Sequence, residues 1–176
     1  NKLFGLQDAF LNRDDTLAPY AKLKKDLEKL TFEVLTYDQI KKFRGEEVKG
    51  DGYISFGSLR NWNELKSVDL KLIAFFILEP PLVAPKLYQS LPSLTKNFQQ
   101  VFIHNTHGDC YDLKGVDVNC MENLYWPQPY GDVVHKYWSE KNRKKKIIVV
   151  NGNHKPQRLL DRELYSQRIK WATALS

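Results

Sequence analysis

The sequence predicts an α/β protein built on a parallel β-sheet. Strand-like and helix-like segments alternate at a spacing of roughly 20 to 30 residues, which is typical of βαβ units. The segment over residues 70–78, LKLIAFFIL, which is apolar except for Lys71, resembles central parallel strands, which are buried on both faces. Near the C-terminal end, the strand pattern KIIVVNGN precedes an amphipathic helical pattern, which indicates a further βα unit.

Each element is predicted from its own local pattern. Alternating or continuous β-rich segments predict strands over residues 31–37, 52–58, 70–78, 99–105 and 146–153. Helical spacing predicts helices over residues 16–30, 85–97 and 161–175. The first helix has Asp15 or Thr16 as its N-cap, and the second has Pro85 in its first turn. The first helix carries one apolar face, made of Leu17, Tyr20, Leu23, Leu27 and Leu30.

A change in composition near residue 124 marks the predicted domain boundary. An aromatic and proline-rich stretch, LYWPQPYGDVVHKYW, is followed by the polar, basic SEKNRKKK, which has the composition of a linker. We therefore expect a domain over residues 1–140 and the start of a second over residues 141–176. Candidate core positions of the last helix are Leu164, Ile169, Trp171, Ala172 and Leu175. One strand and one helix cannot bury their apolar faces alone, so this unit either opens a larger domain or packs on the first sheet.

Composition and charge narrow the function classes. The 176 residues are 42% hydrophobic and carry a net charge of +6. Residues 136–176 hold 11 Lys/Arg against 3 Asp/Glu, a net charge of +8. This end of the chain would attract the phosphates of a nucleotide, a nucleic acid or an anionic membrane. The alternative is a basic face that is only solvated. No apolar run approaches the ~20 residues that span a bilayer. The two cysteines, Cys110 and Cys120, are expected to be free thiols.

Glu79 is the first candidate for chemistry. It follows the apolar run directly and precedes Pro80 and Pro81. Ligands of open α/β sheets bind outside the carboxyl ends of the strands, and the two prolines restrict the backbone around the carboxylate. A positioned and partly desolvated carboxylate with a raised pKa suits a general base. The alternative is a strand-end Glu that caps the next helix or pairs with a lysine.

Two loops after predicted strands hold further candidates. FIHNTHGDC, residues 102–110, contains His104, His107 and Asp109, but a matching second ligand pair for a metal is missing, so we expect no metal site there. NGNHKPQ, residues 151–157, lies between a strand and a helix, where backbone N–H groups can hold a phosphate. Side chains of this loop and of the segment that follows it could donate further hydrogen bonds to a phosphate, and these are Asn153, His154, Lys155, Arg158, Arg162 and Arg168. The G-x-G-x-x-G, P-loop and G-x-S-x-G motifs are absent from the sequence.

An ordered set of motifs spread over nearly the whole chain resembles the family 10 glycosyltransferases, the α-1,3/1,4-fucosyltransferases and their bacterial and viral relatives. The motifs are NRDD, FGSLRNW, LEPPLVAPKLY, FQQVFIHN, YWPQPY and KIIVVNGNHKPQ…RELYSQRIKWATAL. The resemblance implies a GT-B arrangement of two Rossmann-like domains, of which this chain covers the N-terminal acceptor half. It also implies inverting transfer from GDP-fucose or a related nucleotide sugar to a glycan acceptor, without a required cofactor or metal.

The resemblance also assigns residues. Glu79 matches the position of the base that takes the proton of the acceptor hydroxyl, and Arg162 best matches the arginine that contacts the donor phosphates. Asn153, His154 and Lys155 lie in the same donor segment. Residues proposed to contact the acceptor are His104 and aromatic side chains that either stack on sugar rings or pack in the protein, namely Trp62, Tyr125, Trp126 and Tyr130.

The family's donor-site segments, with Glu-Asn and Tyr-Val-Thr-Glu-Lys, would lie downstream of residue 176, so a C-terminal donor domain is an expected partner. Alternatives are a catalytically incomplete glycan-binding domain and, less favoured, a metal-dependent hydrolase using His104, His107 and Asp109. We expect no nucleic-acid partner and no membrane segment in this chain. The expected location is cytoplasmic or peripheral to a membrane, or the Golgi lumen if an anchor has been removed.

Overall fold

The structure is a computed structural model that describes residues 2–42, 52–60, 62, 70–125 and 164–175. These residues fall into two compact units, one containing residues 2–42 and the other containing residues 52–125 and 164–175. The predicted domain boundary at 140/141 lies outside the described residues and stays a prediction.

The first unit is helical. A 3-10 turn, Arg13–Asp15, leads into helix α1, Ala18–Lys29, and helix α2 spans Tyr37–Lys42. Helix α1 confirms the predicted helix, although its apolar face is only partly covered, since Leu23 and Leu30 are exposed. On its polar face, hydrogen bonds from Lys22 and Lys29 lower the pKa of the Asp26 carboxyl to about 2.

The predicted N-cap of α1 was wrong. Leu17 occupies the cap position and makes no side-chain cap hydrogen bond, whereas Thr16 Oγ1 donates to the carbonyl of Leu11. The Leu17 N–H is instead accepted by Oδ1 of Asn12, at 3.0 Å. Asp15 has a φ of 55°, in the left-handed region, within the turn that precedes the helix. Neither Asp15 nor Thr16 therefore occupies the N-cap position of α1.

The strand predicted over residues 31–37 was also wrong. Thr31 has a φ of 68° and its N–H donates to the carbonyl of Glu28, so the chain folds back against the end of α1. The segment then ends in the cap of α2: the Thr36 N–H donates to Oε1 of Gln39 at 3.0 Å, and the Gln39 N–H donates to the Thr36 carbonyl. This is one half of a capping box, and it favours helix over strand despite the β-rich composition.

The second unit contains the sheet. Among the described residues, four parallel strands lie in the order β1-β2-β3-β4. Their bounds are β1, Gly52–Phe56; β2, Lys71–Phe76; β3, Gln100–Ile103; and β4, Met121–Asn123. The parallel sheet, and with it the α/β class, is confirmed, as are the predicted strands at 52–58, 70–78 and 99–105. Strand β4 was not predicted, because three residues are too few to show an alternating pattern.

One face of the sheet is the core. The register aligns Ser55, Phe75, Val101 and Met121 across the four strands, and all four are buried. Two short helices pack over them, α3, Pro85–Gln89, and α4, Leu91–Asn97. They replace the single helix predicted over 85–97. The core cluster of buried residues is Trp62, Phe75, Ile77, Leu87, Tyr88, Leu91, Leu94, Phe98, Val101, Ile103 and Met121.

The other face carries a stack of three phenylalanine rings. Phe56 and Phe76 lie 4.9 Å apart between ring centroids, and Phe76 and Phe102 lie 4.6 Å apart with an interplanar angle of 8°. Their rings are half-buried, whereas Ala74, on the same face of the central strand β2, is buried. The stack ties three adjacent strands together just before their carboxyl ends.

The strand order is sequential and does not reverse among the described strands. Rossmann-like sheets bind ligands where the strand order reverses. The Rossmann-like GT-B arrangement therefore stays a prediction, while the parallel α/β sheet is what the structure shows.

The last helix, α5, spans Tyr165–Leu175 and confirms the predicted helix. Two of its predicted core residues are exposed, Leu164 by 52% and Trp171 by 64%, whereas Ile169 and Ala172 are half-buried. The strand predicted over 146–153 lies outside the described residues. None of the helices that the structure describes is long and apolar enough to cross a bilayer.

Phe98 is the residue on which the aromatic part of the core depends, since its ring lies 5.3 Å from Phe75, 5.8 Å from Trp62 and 6.4 Å from Tyr53. We expect Phe98→Ala to lower the free energy of unfolding by about 3–5 kcal/mol, because it leaves a cavity beneath the sheet. Phe10→Ala is the control, since that ring is 89% exposed, and it should change stability by less than about 0.5 kcal/mol. Urea unfolding measures both, and equal effects would contradict this account of the core.

Candidate functional site

The carboxyl edge of the sheet brings the predicted residues of three strands together. Hydrogen bonding continues past the strands: the Ile77 N–H donates to the Phe102 carbonyl at 2.8 Å, and the Leu124 N–H donates to the Ile103 carbonyl at 2.8 Å. Residues that follow β2, β3 and β4 therefore leave the sheet side by side. Glu79, His104 and Tyr125 all lie at this edge, which is the edge where parallel sheets bind ligands.

The main chain around Glu79 is held from both sides. His104 Nε2 lies 3.0 Å from the carbonyl oxygen of Leu78, which belongs to the peptide group before Glu79. Tyr88 Oη donates to the carbonyl of Glu79 itself, in the peptide group after it, at 2.9 Å. One contact comes from the end of β3 and the other from α3, so two separate elements fix the backbone on which the carboxylate stands.

The two prolines shape the segment that follows. The carbonyl of Pro80 accepts hydrogen bonds from the N–H groups of Val83 and Ala84, each at 3.0 Å, which closes a turn before Pro85 begins α3. This turn lets Tyr88 return to the strand end. The Glu79 side chain is exposed. Its position is set through the main chain, and its side chain faces solvent.

Tyr88 and Tyr111 form the wall beneath this edge. Their ring centroids lie 4.9 Å apart, and Tyr111 Oη donates to the carbonyl of Asn105, which ties the loop after β3 to the same place. Burial raises the pKa of Tyr88 well above the ordinary tyrosine value, and Tyr111 and Glu79 raise it further. Burial also raises the pKa of Tyr111. Both hydroxyls therefore remain protonated hydrogen-bond donors at neutral pH.

The loop after β3 is a structural turn. Asn105 Oδ1 accepts the His107 N–H at 2.7 Å, and Gly108 has a φ of 76° where an added Cβ would lie 2.9 Å from Leu113. Within the part of the chain that the structure describes, no three His, Cys, Asp or Glu side chains come together as metal ligands. His104, His107 and Asp109, the residues of the hydrolase alternative, are thus not grouped as metal ligands in the described structure. His104 Nε2 instead contacts the carbonyl of Leu78.

The other predicted site residues divide into three groups. Trp62 is 2% exposed and packs edge-on against Phe98, so its ring has no open face for a sugar and takes the packing role. Two candidates are exposed: Tyr125 by 87% at the end of β4, and Arg168 in α5, where its guanidinium carbon lies 6.0 Å from the centroid of the Tyr165 ring. The remaining candidates lie outside the described residues, and these are Trp126, Tyr130, Asn153, His154, Lys155, Arg158 and Arg162.

Tyr88 is the site residue that sequence reasoning missed. It lies in a short helix whose buried side also includes Leu87, and nothing in its local pattern separates it from an ordinary core aromatic. The available signal was indirect: a turn that begins with two prolines sends α3 back towards the strand it follows.

A cleft of about 590 Å³ lies at the opposite, amino-terminal edge of β3 and β4. Its lining includes Thr95, Lys96, Asp117 and Cys120. Partial burial raises the pKa of the Cys120 thiol, and the hydrogen bond to the Asp117 carboxylate raises it further, which makes this thiol a poor nucleophile. Because this cleft lies at the opposite edge of the sheet from Glu79, its residues do not belong to the candidate site.

Comparison of the chain with protein-family models, with curated proteins and with solved structures finds no match. The resemblance to family 10 glycosyltransferases therefore stays a prediction that depends on the sequence motifs.

Tyr88→Phe tests the bond that holds the Glu79 carbonyl. It keeps the ring packing and removes one buried donor, so we expect a loss of about 0.5–1.5 kcal/mol in the free energy of unfolding near pH 7. The raised pKa of Tyr88 stabilises the folded protein fully below the pKa of an unfolded tyrosine, about 10, and this contribution is lost as the pH rises beyond it.

Urea unfolding at several pH values should therefore show a steeper loss of stability above about pH 10 for the wild type than for Tyr88→Phe. Tyr125→Phe, at an exposed ring, is the matched control and should follow the wild type. Parallel curves for the wild type and Tyr88→Phe would contradict the assigned environment of Tyr88.

Proposed function

We propose that this chain is the acceptor half of an inverting glycosyltransferase that moves fucose, or a similar sugar, from a nucleotide-sugar donor such as GDP-fucose to a glycan acceptor. Two lines of support combine. The ordered motifs resemble family 10 glycosyltransferases, and the position that matches the family's base is Glu79. The observation that carries the proposal is that both carbonyls flanking Glu79 are hydrogen-bonded while its carboxylate is open to a ligand.

In the proposed reaction, the Glu79 carboxylate accepts the proton of one acceptor hydroxyl as that oxygen attacks the anomeric carbon. The bond from the anomeric carbon to the diphosphate oxygen breaks, and the nucleoside diphosphate leaves with the bonding electrons. General-base catalysis of this kind contributes about 10²–10⁴-fold and requires the base within hydrogen-bond reach of the hydroxyl. A base fixed through its main chain meets this positional requirement at low entropic cost.

The donor and acceptor contacts follow the same proposal. Arg162, with Asn153, His154 and Lys155, would stabilise the departing diphosphate, as cationic and N–H donors do for developing negative charge. Acceptor contacts are assigned to His104, Trp126 and Tyr130, with Tyr125 as an exposed aromatic at the same edge. The GT-B arrangement, a C-terminal donor domain and a cytoplasmic, membrane-peripheral or Golgi location belong to the proposal as well.

A second candidate function is glycan binding without transfer. The observation that favours it is the exposure of Glu79, since an exposed carboxylate can accept hydrogen bonds from glycan hydroxyls without any reaction. Transfer remains the preferred proposal because Glu79 stands at the position that matches the family's base.

The test is sugar transfer from GDP-fucose to a panel of glycan acceptors, with this chain and with the full reading frame that contains it. We expect transfer by the full frame and a loss of at least about 100-fold in kcat for Glu79→Gln, which keeps the shape and removes the base. Glu122→Gln is the matched control, because Glu122 is an exposed carboxylate on β4 of the same sheet, and it should retain wild-type kcat.

Glycan binding with no turnover by either form would establish the binding-domain alternative. Transfer that survives Glu79→Gln would remove Glu79 from the role of base while leaving the transferase proposal in place.

A further inference from the structure

His104 contacts the main chain of the candidate site through one specific ring nitrogen. Its Nε2 lies 3.0 Å from the carbonyl oxygen of Leu78, across the gap between the ends of β3 and β2. A carbonyl oxygen only accepts hydrogen bonds, so the proton must lie on Nε2. In the neutral imidazole this fixes Nδ1 as the unprotonated nitrogen, which is a hydrogen-bond acceptor.

The second ring nitrogen makes no hydrogen bond to any part of the chain that the structure describes. The His104 side chain is exposed. Because the two nitrogens lie on different sides of the ring, a ring whose Nε2 points at the Leu78 carbonyl turns Nδ1 away from that carbonyl. An unprotonated nitrogen there accepts from O–H or N–H donors, and hydroxyls are the donors that carbohydrates offer.

The contact also bears on Glu79. The Leu78 carbonyl belongs to the peptide group that ends at the Glu79 nitrogen, so rotation about the Leu78 Cα–C bond moves this carbonyl and the Glu79 Cα together. Tyr88 holds only the following carbonyl. Among the described residues, the backbone hydrogen bonds between β2 and β3 end with the one that the Ile77 N–H donates to Phe102. Beyond Ile77, the His104 contact is therefore the hydrogen bond that holds the peptide before Glu79.

We propose that His104 is a positioning residue with two separable roles, in which Nε2–H holds the Leu78–Glu79 peptide and Nδ1 accepts a hydrogen bond from a second hydroxyl of the acceptor sugar. This rests on the proposed transfer reaction and deepens it. The site would then take a polyhydroxylated acceptor by two neighbouring hydroxyls, one reacting at Glu79 and one held at His104.

Two substitutions separate the roles. In His104→Gln the amide nitrogen stands at the position of Nε2, so the bond to Leu78 is kept and the Nδ1 acceptor is lost. In His104→Asn the amide group stands at the position of Nδ1, so the bond to Leu78 is lost. We expect His104→Gln to keep kcat within about twofold and raise the KM for the acceptor several-fold, the effect of one lost hydrogen bond.

We expect His104→Asn to lower kcat at least about 10-fold, because small displacements of a catalytic group are costly in rate. The same two substitutions at His107, an exposed residue of the same loop, are the matched controls and should leave both constants unchanged. Identical kinetic effects of the two His104 variants, or a wild-type kcat for His104→Asn, would overturn the proposal.

A spectroscopic measurement on the wild type needs no variant to fold. In ¹⁵N NMR of the imidazole nitrogens near pH 8.5, where ordinary histidines are neutral, His104 should show a protonated Nε2 and an unprotonated Nδ1. Titration with methyl glycosides of glucose, galactose, mannose and N-acetylglucosamine should shift the Nδ1 signal of His104 and leave His107 unchanged. A protonated Nδ1 would overturn the proposal even if transfer is observed.

The two proposals fail in different ways. If the full reading frame transfers no sugar, the proposed function fails and the role of His104 falls with it, whatever its tautomer. If transfer occurs and depends on Glu79, but the tautomer or the contrast between Gln and Asn is wrong, only the role of His104 is overturned.

Discussion

The parallel pairing of β2 with β3 is the constraint on which the rest of the second unit depends. On the core face this pairing aligns Phe75 with Val101, both fully buried, and on the other face it stacks Phe76 on Phe102. Burying a large apolar side chain contributes about 1.5–3 kcal/mol, so the register is specified from both faces at once. A slip of one residue would turn the core row outward and would also carry the strand ends apart.

The candidate site separates two demands that usually conflict. Holding a charged group firmly often means burying it, and burial penalises the charge. Here the restraints act on the carbonyls of Leu78 and Glu79, through a histidine and a buried tyrosine, while the Glu79 side chain is exposed. A position defined by the scaffold and an exposed functional group is the arrangement that binding and catalytic sites on strand ends favour.

Sequence patterns predicted the parts of this protein that are governed by local hydrophobicity. The run around Phe75 marked the central strand, and the edge that carries Glu79 followed from the parallel sheet. The prediction failed where a specific hydrogen bond decided the structure, as in the turn to Thr36, whose cap with Gln39 replaces a strand. Sequence patterns could not identify Tyr88, because its contact with the Glu79 carbonyl depends on how α3 returns to the sheet. They also could not decide that Trp62 is buried, because an aromatic residue that stacks on a sugar and one that packs in the core look the same in the sequence.

The sequential order of the described strands has a kinetic consequence. Each described strand pairs with the next one along the chain, so the sheet can grow by adding one neighbour at a time across connections of 14, 23 and 17 residues. Sheets whose order reverses must instead join strands that are distant in sequence. Such non-local pairing slows folding because the chain loses the entropy of closing a long loop before the strand contacts form. Because the described strands pair only with their neighbours in the sequence, we expect this sheet to form faster than a parallel sheet whose strand order reverses.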